Sequence, residues 1–165
     1  MEIYKIGYES QEEVLRSVAQ PVTEFDQELK TLIKDMLKEM EDSNGIGLAA
    51  PQIGISKRIL VVGSEEIKPM AFINPEIIET SLEENIYEEG CLSVPKMYAK
   101  VTRPRRVKVQ AWNERGRPFT VEADDLLATV LQHEIDHLNG ILFIDHLKDR
   151  PKEKLLKKYN KIMGL

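Results

Sequence analysis

The sequence predicts an α+β fold. Short, mostly antiparallel strands pack around a central histidine-bearing helix, with a long helix in the first half of the chain and another at its end. Three observations lead there. Apolar residues recur at helical spacing in three separate segments, the stretches between them carry short β-like runs, and turn residues punctuate the joins.

The elements follow in order. Leu29, Leu32, Ile33, Met36, Leu37 and Met40 form one apolar stripe, which Ser43-Asn44-Gly45 terminates. The helix they define, about four turns long, leads into GIGLAAPQ at 45–52. Strand-like runs come next: RILVV at 58–62, MAFIN at 70–74, EIIET at 76–80, RVKVQAW at 106–112 and PFTVEA at 118–123. Val107, Val109 and Ala111 alternate with Lys108, Gln110 and Trp112, the period of a strand with one buried face. Asn113-Glu114-Arg115-Gly116 predicts a hairpin turn into the last run. Helical spacing returns over 124–139, where Leu126, Leu127, Val130, Leu131 and Leu138 surround two histidines and Gly140 marks the stop. A terminal amphipathic helix carries Leu155, Leu156, Tyr159, Ile162 and Met163, with Pro151 in its first turn.

A length of 165 residues suits one domain, so residues 1–165 are expected to form a single globular unit. Hydrophobic residues at 42% and charged residues at 31% exclude a disordered or fibrous class. No apolar run reaches membrane-span length, and MEIYKIGYESQEE has no cationic start before an apolar stretch, so a cytoplasmic location is expected. One cysteine, Cys91, excludes an internal disulfide. The net charge of -5 argues against a DNA-binding role. Lys148 to Lys161 runs the other way, with seven Lys or Arg against Asp149 and Glu153. That run is a solvated helix face in its simplest reading, a contact for a polyanion being the alternative.

The chemistry concentrates in 132-QHEIDHL-138. Residues four apart share a helix face, so His133 and His137 can aim two imidazoles at one divalent metal. Glu134 projects beside the pair, where it can accept a proton from a metal-activated water. Two ligands do not hold a catalytic metal. The long protease signature would place a third histidine at 143, which is Phe143, and the only glutamate after His137 is Glu153. His146 lies nine residues past His137, beyond the helix stop, and is a poor candidate. The third ligand is therefore sought upstream, where Cys91 in 88-EEGCLSVP-95 leads, an inert buried cysteine being the alternative. A small metallopeptidase and a non-catalytic metal-binding module both remain compatible with HEIDH alone.

Three segments taken together, 45-GIGLAAPQ-52, 89-EGCLS-93 and 132-QHEIDHL-138, resemble in order and spacing the signature motifs of bacterial peptide deformylases, in the subtype with a C-terminal helix. The resemblance implies a mononuclear site held by Cys91, His133 and His137, with Fe2+ as the native metal and Zn2+, Ni2+ or Co2+ as replacements. It implies removal of the formyl group from the N-terminal formyl-methionine of newly made polypeptides, releasing formate. Carried onto matching positions, Gln52 and the Leu92 N–H become donors to the oxyanion, with Glu134 as proton carrier. Gly45, Ile46 and Gly47 would pair with the substrate backbone as a strand does, and Gly90 similarly from the facing side. Ile46, Tyr87, Leu126, Thr129 and Val130 would form the methionine pocket, Thr129 adding a hydroxyl to an otherwise apolar wall. Tyr98 stands where many relatives carry Arg or Gly. A metallopeptidase leaves EGCLS and GIGLAAPQ unexplained, and a closed structural site leaves Glu134 and Gln52 without a role.

Overall fold

The structure, a computed structural model, describes residues 1–165. In chain order the elements are α1 (Glu9–Leu15), α2 (Gln27–Asp42), β1 (Gly47–Ala49), β2 (Ile59–Val62), β3 (Met70–Thr80), β4 (Glu84–Cys91), β5 (Val94–Pro104), β6 (Arg106–Trp112), β7 (Pro118–Asp124), α3 (Asp125–Leu138) and α4 (Asp149–Met163). Single turns of 3-10 helix occupy Ala50–Ile53 and Phe143–His146. Five strands form one antiparallel sheet in the order β1-β2-β3-β6-β7, while β4 and β5 make a separate hairpin. The predicted mixture of helices and antiparallel strands is the one observed.

The sheet lies between the two long helices, and β2 shows why. Ile59 and Val61 face α2, packing with Leu29, Ile33, Met36 and Met40, whereas Leu60 and Val62 join the α3 side with Leu131, Ile135 and Leu138. A strand buried on both faces has no polar alternation, hence ILVV. Each fully buried aliphatic side chain contributes roughly 1.5–3 kcal/mol, so this central strand ties both layers together. A third core joins β5 to the chain ends through Val94, Met97 and Val101 against Leu15, Phe143 and Tyr159. Tyr159 alone on α4 is fully buried, its hydroxyl donating to the Ile6 carbonyl at 2.7 Å. Ile162, expected on the apolar side, stays 43% exposed.

Several elements differ from the sequence reading. MAFIN and EIIET are one strand, β3, which crosses Asn74 and Pro75 by a register shift between Ile73 and Glu76. Asn74 takes a left-handed φ of 49° there, and its amide clasps Val22 through bonds of 2.8 and 2.9 Å. An irregularity accommodates a proline that a regular central strand would not. The β4–β5 hairpin and α1 were not predicted: charged residues occupy both faces of β4, and α1 buries only Leu15. The Asn113–Gly116 turn is present, with Gly116 N–H donating to the Asn113 carbonyl at 2.9 Å. At the end of α3 Gly140 has φ +74°, and a Cβ would meet the Arg16 carbonyl oxygen at 2.3 Å, so only glycine fits the stop.

Candidate metal centre

α3 begins where β7 ends, and its buried face carries the histidines through the middle of the molecule. His133 and His137 stand one turn apart with ring centroids 5.1 Å from each other. Opposite them β4 ends at Cys91, whose Sγ lies 3.3 Å from His137 Nε2. One donor atom from each of Cys91, His133 and His137 falls within 4.8 Å of the others. The lone cysteine and the helical pair thus converge although His133 lies 42 positions after Cys91. Phe143, at the place where a third histidine was sought, stacks on His133 with an interplanar angle of 20°. His146 is not among the clustered donors; its Nε2 lies 2.8 Å from Asp136 Oδ2.

These donors suit a late transition metal. Glu89 Oε1 lies 2.9 Å from His133 Nδ1; a carboxylate only accepts, so Nδ1 carries the hydrogen and Nε2 keeps its lone pair for a metal. Burial lowers the proton affinity of His137 well below the ordinary imidazole value, with His133 and Arg103 adding to the effect, and so favours the neutral form that can ligate. His133 goes the other way. Burial opposes its charging, but Glu134, Cys91 and Glu89 outweigh burial and raise its pKa well above the ordinary value. The centre therefore holds an excess of anionic character that a divalent cation would neutralise in place of a proton.

Two buried carboxylates flank His133. Glu89 is anchored by Arg103, which donates from Nε at 2.7 Å and from Nη2 at 2.9 Å, while Arg103 Nη1 reaches Asp136 Oδ2 at 2.9 Å. Burial alone would raise the Glu89 pKa, but the bonds from His133 and Arg103 prevail and hold it below the usual carboxylate range. Glu134 has no such support. Its Oε1 is buried without a partner, and its Oε2 sits 4.0 Å from His133 Nε2. Burial pushes its pKa up to about 7, near the value that suits a group taking and returning a proton at neutral pH. Gly47 makes room for it: a Cβ there would meet Glu134 Oε2 at 2.6 Å.

Gln52 is 2% exposed in the 3-10 turn after β1. Its Oε1 accepts from the Ala49 N–H at 3.0 Å, which fixes the amide so that Nε2 points at Cys91 Sγ (3.5 Å) and Ser93 Oγ (3.3 Å). The adjoining Leu92 N–H, in the turn that joins β4 to β5, makes no hydrogen bond within the protein. Both donors border the thiolate ligand position. A cavity of about 440 Å³ opens beside them, also lined by His133 and Glu134. Gly45, Ile46 and Gly47 line it from the β1 edge, and Tyr87 and Gly90 from β4. Leu126, Thr129 and Val130 form its α3 wall, so the predicted contact residues are brought together. β1 and β4 are edge strands, which leaves their backbones free to pair with an extended chain. Tyr98 stands at the mouth, 65% exposed.

Glu89, Arg103 and Asp136 are the residues that sequence reasoning missed. A signal was present: Met97, Ala99, Val101 and Arg103 alternate with Tyr98, Lys100 and Thr102, which marks β5 as a strand with Arg103 on its inner face.

The family model described as polypeptide deformylase matches residues 2–153. The chain belongs to the polypeptide deformylase family. Among similar members, a peptide deformylase of Rhizobium meliloti (strain 1021) is 47% identical over 152 residues, covering 90% of this chain and 87% of the relative. One from Treponema pallidum (strain Nichols) is 46% identical over 153 residues, covering 93% and 94%. The crystal structure of a peptide deformylase from Legionella pneumophila shares 41% identity with a TM-score of 0.87 over 99% of this chain and 96% of that one. A peptide deformylase from Synechococcus elongatus in complex with actinonin gives 42% identity and a TM-score of 0.89 over 97% and 86%. Family membership and fold agree over the whole region that holds the centre.

Proposed function

We infer that this chain is a peptide deformylase, a metallohydrolase that removes the formyl group from the N-terminal formyl-methionine of newly made polypeptides and releases formate. The observation that carries this reading is the convergence of Cys91, His133 and His137 within 4.8 Å beside a cavity that also presents Glu134 and Gln52. We assign the three donors to Fe2+, with Zn2+, Ni2+ or Co2+ able to replace it, because nitrogen and sulfur ligands suit all four. When bound there, such a metal supplies Lewis acidity, which lowers the pKa of water from about 16 toward 7.

The chain's own residues do the rest. The edges of β1, at Ile46 and Gly47, and of β4, at Gly90, receive the substrate backbone as an added strand and aim its first residue inward. Leu126, Thr129 and Val130 on α3, with Ile46 and Tyr87 opposite, take the methionine side chain. Glu134 removes the proton from the attacking water at a carboxylate oxygen and returns it to the departing amine nitrogen, its unpartnered Oε1 leaving it free to do so. Gln52 Nε2 and the Leu92 N–H donate to the oxygen that gains charge as the formyl carbon becomes tetrahedral. Losing one such preorganised donor typically costs about 10²–10³ in turnover. Glu89 and Arg103 keep His133 oriented throughout.

The whole chain acts as one catalytic domain, and no helix is long and apolar enough to cross a membrane. A cytoplasmic setting and a transient ribosome contact through the basic face of α4 complete the reading, α4 presenting Lys154, Lys157, Lys158 and Lys161 outward. Protein loaded anaerobically with iron or nickel is expected to release formate from a short formyl-methionyl peptide and leave its peptide bonds intact. Peptide-bond cleavage without formate would replace this reading with a metallopeptidase.

A further inference from the structure

Thr129 is 6% exposed, yet its hydroxyl makes no hydrogen bond within the protein. A helical hydroxyl can bond to the carbonyl four residues back, as the Ser17 hydroxyl just past α1 does to Glu13 at 2.6 Å. The only buried side-chain polar atoms sealed off without a partner are Glu134 Oε1 and His137 Nδ1, so the Thr129 hydroxyl keeps access to open space. The space this residue lines is the catalytic cavity. Thr129 thus lines the site from the same helix face as His133, one turn earlier, with a hydroxyl that is not sealed off.

We propose that the Thr129 hydroxyl is a specificity-determining donor that lets the side-chain pocket accept methionine sulfoxide, so that chains beginning with oxidised formyl-methionine are also substrates. This rests on the deformylase reading above. Four residues along a helix span about 6 Å. In an extended formyl-methionine the sulfur lies five bonds from the formyl carbon, also roughly 6 Å. The two lengths match, so a substrate with its formyl carbon beside His133 and its first side chain running along α3 toward Thr129 brings its sulfur within reach of that hydroxyl. The thioether sulfur is only a weak acceptor, whereas the sulfoxide oxygen is a strong one, and in a wholly apolar pocket that oxygen would be buried unpaired. Because the hydroxyl sits on one wall, it favours one of the two sulfoxide epimers.

The test compares kcat/KM for formate release from formyl peptides that differ only in the first side chain: methionine, each methionine sulfoxide epimer, and norleucine. Thr129→Val keeps the shape and removes the donor; it is expected to lower the ratio of preferred sulfoxide to norleucine about tenfold, through KM. Thr129→Ser, which restores a hydroxyl, is expected to hold the ratio near that of the unaltered protein. An unchanged ratio in Thr129→Val, an equal fall in Thr129→Ser, or unaltered protein that deformylates norleucine but neither sulfoxide would each overturn the inference while leaving deformylation standing. Absence of formate from every peptide would overturn deformylation itself, and the inference with it.

Discussion

Glu89 and Glu134 lie on opposite sides of one imidazole and are 6% and 4% exposed, yet their surroundings give them opposite characters. On the Glu89 side every charge is answered: Arg103 bridges Glu89 and Asp136, and His133 adds a further bond. The Glu134 side is left open, with one oxygen unpartnered and glycine standing opposite. Satisfied buried carboxylates are held and stay ionised; an unsatisfied one keeps a proton within reach of neutral pH. Partners rather than burial separate a group that orients a ligand from a group that moves protons.

The contrast can be broken at several points, the largest effect coming first. Glu134→Gln preserves size and polarity but cannot carry the proton; kcat for formate release is expected to fall by about 10²–10⁴ with metal retained, as metal analysis of the same sample would show. Loss of metal equal to the loss of rate would make Glu134 a ligand instead. Arg103→Ala removes the guanidinium that bridges Glu89 and Asp136 and leaves them only His133 and His146 respectively. Removing one partner from such a buried group costs about 3–5 kcal/mol, read as a lower midpoint in urea, and a change below about 1 kcal/mol would show that the cluster does not stabilise the fold.

Acidity should distinguish the two carboxylates in the metal-free protein. The folded pKa of Glu134, about 7, lies above its ordinary 4.5, so between those values the folded chain retains a proton that the unfolded chain has released. Its contribution to stability therefore falls as pH rises through that window, by about 3 kcal/mol. Glu89 is depressed, so its contribution is complete above 4.5 and is lost as pH falls below it. The change in urea midpoint of chelator-treated protein from pH 5 to 7.5 is expected to be more negative in the unaltered protein than in Glu134→Gln, since His137, held neutral in the fold, adds the same rising contribution to both; parallel profiles would contradict the assignment.

The same contrast explains what could be read from the amino-acid order. α3 was legible because its chemistry and its packing share one period: Leu131, Leu138 and the histidines recur at helical spacing on buried faces. The sheet was legible at β2, β6 and β7, where apolar runs or alternation mark buried faces. The hairpin of β4 and β5 was not, because its decisive residues are charges. A lone Glu89 in YEEGC looks like a solvated surface residue, and only pairing across the hairpin brings Arg103, fourteen positions later, against it. Burial of an ion pair is a property of two distant residues at once, and no local window contains both.

The claim that partners divide orientation from proton transfer meets its most direct test in turnover measured at matched metal occupancy for Glu89→Gln and Glu134→Gln. Glu89→Gln weakens the hold on His133, so metal affinity is expected to fall about 10–100-fold, yet at full occupancy its formate release should return to within a few-fold of the unaltered protein. Glu134→Gln at the same occupancy should remain inactive. If saturating metal leaves Glu89→Gln as inactive as Glu134→Gln, or restores both, the division of roles between the two carboxylates is wrong.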